Sequence, residues 1–108
     1  MRILHLTLMK KWFDLIRTGV KKEEFRELKP YWESRLLKGQ GGEGREFDIV
    51  RFYHGYEKDR PSCDVEFKGI SITTKDLYTP KNGEVLWPET IVIRLGKVLH
   101  VSNINSLG

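Results

Sequence analysis

The sequence contains one cysteine, Cys63, and no apolar run long enough to cross a membrane. A lone cysteine cannot form an internal disulfide, which is typical of a reducing compartment and predicts a cytoplasmic protein without membrane contact. Cys63 is therefore expected to pack as a small apolar side chain rather than to react. The first residues, MRILHLTLMKKW, also lack the apolar block and the small-residue cleavage site of a signal peptide.

Sequence patterns for metal or cofactor binding are missing as well. The three histidines, His5, His54 and His100, lie far apart with no cysteine near them, so neither a metal site nor a cofactor is expected. The glycine-rich stretch Gly39–Arg45 has neither a Walker lysine-serine ending nor a GxGxxG pattern, which predicts a surface loop rather than a phosphate-binding loop. No Ser-His-Asp or Cys-His arrangement is evident.

Length and composition indicate one globular domain over residues 1–108, with a polar tail from about residue 102. Hydrophobic residues make up 39% of the chain and aromatic residues 11%, which is enough for a folded core. The net charge of +4 arises between Lys10 and Lys38, where nine basic and five acidic side chains lie. Such an excess attracts phosphates, although ordinary solubility charge on helix faces would give the same numbers.

The periodicity of apolar residues predicts a strand, a helix, an extended segment and a second helix in the first part of the chain. Arg2–Leu8 alternates as a strand does, and apolar residues then recur at helical spacing until Gly19, which ends the helix. Lys21–Glu27 is charged and is expected to be extended. A second helix begins at Pro30, a residue suited to the first helical position, and ends at Gly39.

The rest of the chain is predicted to be mainly strand. The β-branched and aromatic residues favour strands at Phe47–Tyr56, Cys63–Thr74 and Thr90–Val101. Gly69 and Gly96 interrupt two of these strands and predict bends. Short, bent strands favour a closed or partly closed sheet. The fold class is thus predicted to be α+β, mainly β: a small barrel of about five strands with two short helices near the N-terminus.

The segment Gly19–Arg26, GVKKEEFR, fits the pattern GxKxxExR and resembles the signature of the ASCH family, a branch of the PUA-like fold. The preceding LHLTL strand and WFDLI helix, and the late pair Leu95-Gly96, extend the resemblance over nearly the whole chain. The resemblance implies a β-barrel with a cleft beside the motif that binds RNA or a nucleotide ligand. Some members are amidohydrolases that deacetylate a modified cytidine. Those enzymes use a motif lysine, here Lys21, and a threonine where this chain has Glu24.

The spacing within the motif suggests what its side chains do. Glu24 and Arg26 lie on the same face of an extended segment, so Glu24 is expected to hold the Arg26 guanidinium ready for a phosphate or a base edge. In an enzyme, Lys21 would be the nucleophile or general base, assisted by Glu24. The alternative is a network of salt bridges that only closes the barrel.

Three further residues complete the predicted site. Tyr31 and Arg35, on the second helix, suit stacking on a base and contact with its phosphate, whereas Trp32 is expected to pack against Leu36 in the core. Arg51 interrupts an apolar row on the strand that follows, where a charged residue is usually paired or lies at a ligand site.

The leading hypothesis is a domain that binds RNA or a nucleotide through a basic cleft beside the motif. The expected contacts are Lys21, Glu24, Arg26, Tyr31, Arg35 and Arg51. One alternative is an amidohydrolase acting on an acylated, N4-acetyl cytidine-type nucleoside through Lys21 and Glu24. Another is a protein-interaction domain that offers its basic face to an acidic partner.

Overall fold

The computed structural model describes residues 1–39 and 43–104, which fall into two compact units. Unit 1 comprises Met1–Lys22, Phe47–Phe67 and Leu95–Gly108, and unit 2 comprises Glu23–Glu46 and Lys68–Arg94. The elements, in chain order, are β1 (Ile3–Leu8), α1 (Lys10–Arg17), β2 (Glu23–Glu27), α2 (Pro30–Leu36), β3 (Leu37–Lys38), β4 (Glu43–Gly44), β5 (Ile49–His54), β6 (Ser62–Thr73) and β7 (Thr90–Ser102).

Five of these strands are hydrogen-bonded in the order β1-β5-β6-β7-β2, and β3 pairs separately with β4. β1 runs parallel to β5, whereas the pairs β5–β6 and β2–β7 are antiparallel. The predicted α+β, mainly β class with two helices near the N-terminus is therefore confirmed. No helix among the described residues is long and apolar enough to cross a membrane.

In unit 1, the strand and helix periods place the apolar residues as the sequence predicts. Leu4, Leu6 and Leu8 are buried at alternate positions of β1, as expected for a strand with one face in the core. Phe13 and Ile16, three residues apart on α1, are 0% and 1% exposed. Chain reversal after α1 depends on Gly19, whose φ of +80° is a left-handed conformation that glycine adopts at little cost.

Unit 2 has its own apolar cluster, formed by Phe25 of β2, Leu86 and Val92 of β7, with Tyr78 packed against it. The Tyr78 hydroxyl donates a hydrogen bond to the Glu23 carboxylate, and this bond is the main reason why the pKa of Tyr78 is raised to about 12. The aromatic ring is thereby anchored at its polar end while its face contributes to the core.

Two predicted boundaries are wrong. The second helix ends at Leu36 rather than at Gly39, because Leu37 is extended and starts the β3–β4 pair. The predicted loop Gly39–Arg45 therefore contains strand residues, and the Arg45 amide donates to the Leu36 carbonyl oxygen at 2.8 Å. Residues 40–42 of that loop, and residues 105–108 of the predicted polar tail, lie outside the described residues.

Burial of Cys63 predicts a slow reaction with thiol reagents. The side chain is 0% exposed, and burial is the main cause that raises the pKa of its thiol from 9.0 to about 11. At pH 8 the thiolate fraction is then about 100-fold lower in the folded than in the unfolded chain. Alkylation by iodoacetamide, followed by mass spectrometry, should be slower by at least that factor without urea than in urea. Because the folded state keeps the proton, the free energy of unfolding should also fall as the pH rises from 9.0 to about 11. Equal alkylation rates in both conditions would contradict the burial.

Candidate functional site

Glu24 and Arg26 form a largely buried ion pair on β2. The Arg26 Nε and Nη2 atoms donate to Oε2 of Glu24 at 3.0 Å and 2.7 Å. The two side chains are 15% and 7% exposed, for Arg26 and Glu24 respectively. The pairing predicted from the strand period is thus present. Because two donors of a planar guanidinium are fixed by one carboxylate, the orientation of Arg26 is set before any ligand arrives.

The Arg26 guanidinium also lies over an aromatic ring of α2. Its Cζ atom is 4.7 Å from the centre of the Trp32 ring. Trp32 meets Tyr31 edge to face, with ring centres 4.8 Å apart at 90°. On the outer side, Arg35 Cζ lies 3.7 Å from the centre of the Tyr31 ring, and its Nη1 donates to the Tyr31 carbonyl oxygen at 3.1 Å. Arg26, Tyr31, Trp32 and Arg35 are called the arginine–aromatic surface below.

Exposure within this surface differs from the sequence-based expectation for one residue. Trp32 was expected in the core beside Leu36, yet it is only half-buried and carries the Arg26 guanidinium, while Leu36 is 0% exposed. Tyr31 is 52% exposed. An arginine over an aromatic ring is a cation–π arrangement, and such contacts contribute to surfaces on which nucleic-acid bases stack.

Lys21 belongs to unit 1 and contacts Trp12 of α1. Lys21 is 4% exposed, and its Nζ atom is 4.4 Å from the centre of the Trp12 ring. Lys11 approaches the same ring, with its Nζ atom 4.7 Å from the centre. The Lys21 amide donates to the Leu15 carbonyl oxygen at 2.9 Å, which fixes the turn after α1. No pattern in the sequence indicates Trp12 as a partner for Lys21.

The charge excess also divides unevenly between the units. Unit 1 carries ten basic and six acidic side chains, a net charge of +4, whereas unit 2 carries nine of each. The excess that the sequence analysis assigned to the segment from Lys10 to Lys38 therefore resides in its first part, up to Lys22. The net positive charge is accordingly a property of unit 1.

Arg51 is paired across the sheet with Asp64. The two residues are directly opposite in the β5–β6 register. Arg51 Nε donates to Oδ1 of Asp64 at 2.7 Å, and Nη2 donates to Oδ2 at 2.9 Å. The hydrogen bond with Asp64 is the main cause that raises the pKa of the Arg51 guanidinium above its usual value. The apolar row on β5 predicts a paired or ligand-contacting arginine at this position, but it does not indicate Asp64 as the partner.

A pocket of about 400 Å³ lies beside this ion pair, within unit 1. Most of its wall is built from alternate residues of three strands: Arg51 and Tyr53 of β5, Ser62 and Asp64 of β6, and His100 and Ser102 of β7. The turn residues Lys58 and Arg60 complete it, together with Asn103. It is called the strand-face pocket below. In the sequence, the strand-face pocket is indicated by polar residues at every second position of these three strands.

Two histidines are satisfied by hydrogen bonds. His54 Nδ1 is 3.1 Å from the Leu8 carbonyl oxygen, and His5 Nδ1 is 2.9 Å from the Tyr53 hydroxyl. Within residues 1–39 and 43–104, no group of three or more His, Cys, Asp or Glu side chains could hold a metal ion.

The six predicted site residues are divided between the two units. Glu24, Arg26, Tyr31 and Arg35 are joined through Trp32 in unit 2, while Lys21 contacts Trp12 and Arg51 binds Asp64 in unit 1. Comparison of the chain with protein-family models, curated proteins and solved structures gave no match.

Proposed function

We propose that this chain binds single-stranded RNA or a nucleotide, as a small PUA-like barrel of the ASCH type would. The observation that carries the proposal is the arginine–aromatic surface, where two guanidinium groups lie over two adjoining rings. Nucleic-acid bases stack on aromatic rings and on guanidinium planes, and single-stranded RNA exposes its bases for such contacts.

Each member of the surface has a part that follows from its geometry. Tyr31, at 52% exposure, offers a ring for a base, and Arg35 beside it offers donors for a phosphate. Arg26 is held by Glu24 and Trp32, so little side-chain entropy is lost when it contacts a ligand. Glu24 orients Arg26.

Phosphate attraction comes from unit 1. Its net charge of +4 includes Lys11 and Lys21, the two lysines around the Trp12 ring. Charge of this kind raises the rate of encounter with a polyanion and makes the affinity fall with salt. Lys21 of the motif thus adds to the charge of unit 1.

The hydrogen bonds of Glu24 favour RNA binding over hydrolysis of an acylated nucleoside. The Nε and Nη2 atoms of Arg26 both donate to its Oε2 atom, and the side chain is 7% exposed. These two bonds give Glu24 a role in orienting Arg26, whereas assistance of proton transfer at Lys21 is a separate role that only an enzyme would need. The amidohydrolase alternative requires such assistance, whereas RNA binding requires only that Arg26 be oriented.

Replacing Tyr31 by alanine should weaken RNA binding about tenfold, because stacking of one base on an aromatic ring contributes about 1–3 kcal/mol. The measurement is fluorescence anisotropy of a short labelled single-stranded RNA across a salt series. The affinity of the parent chain should fall log-linearly with salt, and Lys11→Ala should reduce the magnitude of that slope by about one.

Tyr56→Ala is the matched control, because Tyr56 is 86% exposed and lies outside the arginine–aromatic surface. It should bind RNA like the parent. Equal weakening by Tyr31→Ala and Tyr56→Ala, or no binding at low salt, would refute the proposal. Acetate release from N4-acetylcytidine would favour the amidohydrolase alternative, and a stoichiometric protein partner that survives nuclease treatment would favour an interaction domain.

A further inference from the structure

The strand-face pocket is a second candidate site, distinct in its residues from the arginine–aromatic surface. Its volume of about 400 Å³ lies within the range of small-molecule sites. The cross-strand pairs Arg51↔Asp64 and Tyr53↔Ser62 form its floor. Because the residues come from hydrogen-bonded strands, the floor is rigid, as a preorganised site requires.

The balance of charge in the pocket favours an anion. Three cationic side chains, Arg51, Lys58 and Arg60, face one carboxylate, Asp64. Both oxygens of that carboxylate accept hydrogen bonds from Arg51, so these two charges compensate one another. Lys58 and Arg60 remain as two positive charges that Asp64 does not neutralise, and a dianion would match them.

Arg60 is positioned for such a ligand. Its Cζ atom lies 4.1 Å from the centre of the Tyr53 ring, so the guanidinium plane is supported by an aromatic face. Tyr53 is itself held by His5, through a stacked ring and the hydrogen bond to its hydroxyl. The Nε atom of Arg60 is buried and has no hydrogen-bond partner among the described residues. Because this atom has almost no accessible surface, an anion in the pocket would be bound by the terminal nitrogens of the guanidinium.

We propose that the strand-face pocket binds a small phosphomonoester, with Arg60 and Lys58 contacting the phosphate group. A phosphate with three terminal oxygens suits this wall better than a carboxylate, because the hydroxyls of Ser62 and Ser102 add donors to the two cations. The volume is suited to a molecule such as a nucleoside monophosphate or a sugar phosphate.

The test is isothermal titration calorimetry of the full chain with adenosine 5′-monophosphate and ribose 5-phosphate. Adenosine and ribose serve as ligands without the phosphate. Both phosphates should bind and neither uncharged compound should. Arg60→Gln should weaken phosphate binding by about tenfold or more, because a hydrogen bond to a charged group is lost. Lys58→Ala, at an exposed turn position, should weaken it less, and Lys81→Ala, an exposed lysine of unit 2, should leave it unchanged.

Several results would overturn the proposal: no heat with either phosphate, equal binding of adenosine and its monophosphate, or an Arg60→Gln chain that folds and binds like the parent. Competition experiments with RNA show whether the phosphate belongs to an RNA end or to a free small molecule. If a 5′-phosphorylated RNA competes with ribose 5-phosphate and a 5′-hydroxyl RNA does not, the ligand is a terminal phosphate of RNA; if neither competes, it is a free small molecule. Tyr31→Ala should leave binding of ribose 5-phosphate intact, because this ligand has no base to stack, so failure here is distinguishable from failure of the RNA proposal.

Discussion

Replacing Phe52 by alanine should lower the free energy of unfolding by about 3–5 kcal/mol. Phe52 is 0% exposed and lies in the middle of β5. It stands opposite Leu6 of β1 on one side and Cys63 of β6 on the other, and both of these residues are buried. Removal of the ring therefore forfeits its transfer free energy and leaves a cavity, because strands fixed by hydrogen bonds on both sides cannot collapse to fill it.

Urea unfolding followed by circular dichroism measures this loss. A chain of 108 residues typically has a total stability of about 5–15 kcal/mol, so the variant should unfold at a much lower urea concentration. Tyr56→Ala removes a similar ring at 86% exposure and should change the stability by less than about 0.5 kcal/mol. A loss below about 1 kcal/mol for Phe52→Ala would contradict the packing of β5 between β1 and β6.

The elements that local periodicity defines could be predicted from the sequence. Leu4, Leu6 and Leu8 alternate because one face of β1 is buried, and Gly19 ends α1 because it adopts a positive φ. The end of α2 could not be predicted. Leu37 leaves the helix to pair with Gly44, and that pairing depends on a contact across a glycine-rich stretch that no local pattern encodes.

The same distinction holds for the candidate site. The Glu24–Arg26 pair was predictable because two residues on one strand face share a period of two. The partner of Arg51 was not, because Asp64 lies 13 residues away and meets it only through the register of β5 on β6. The strand-face pocket was not predictable either, because its wall combines residues of three strands whose mutual register the sequence does not show. Similarly, the charged segment from Lys10 to Lys38 is continuous in sequence, but the chain passes from unit 1 to unit 2 after Lys22.

Replacing Glu24 by alanine should cost about 3 kcal/mol of stability, because the largely buried Arg26 guanidinium then loses its carboxylate. Arg26→Ala should cost a similar amount, since it leaves a carboxylate that is 7% exposed without that guanidinium. Asp14→Ala is the matched control. Asp14 binds Lys10 and Arg17, but its side chain and that of Arg17 are both 28% exposed and the Lys10 side chain is 52% exposed, so the loss should stay below about 1 kcal/mol.

The double variant Glu24→Leu with Arg26→Met decides what the pair is for. Apolar residues of similar volume often replace a buried ion pair without loss of stability, so the double variant should recover most of what Glu24→Ala loses in urea unfolding. If the pair exists to present Arg26 to RNA, the recovered chain should still bind RNA about tenfold more weakly, because one charge-assisted contact is gone. If the double variant is stable and binds RNA like the parent, the pair is structural and the contacts must come from Tyr31 and Arg35. The double variant therefore tests RNA binding in a chain of nearly unchanged stability. Neither single variant can do so, because each of them loses stability as well.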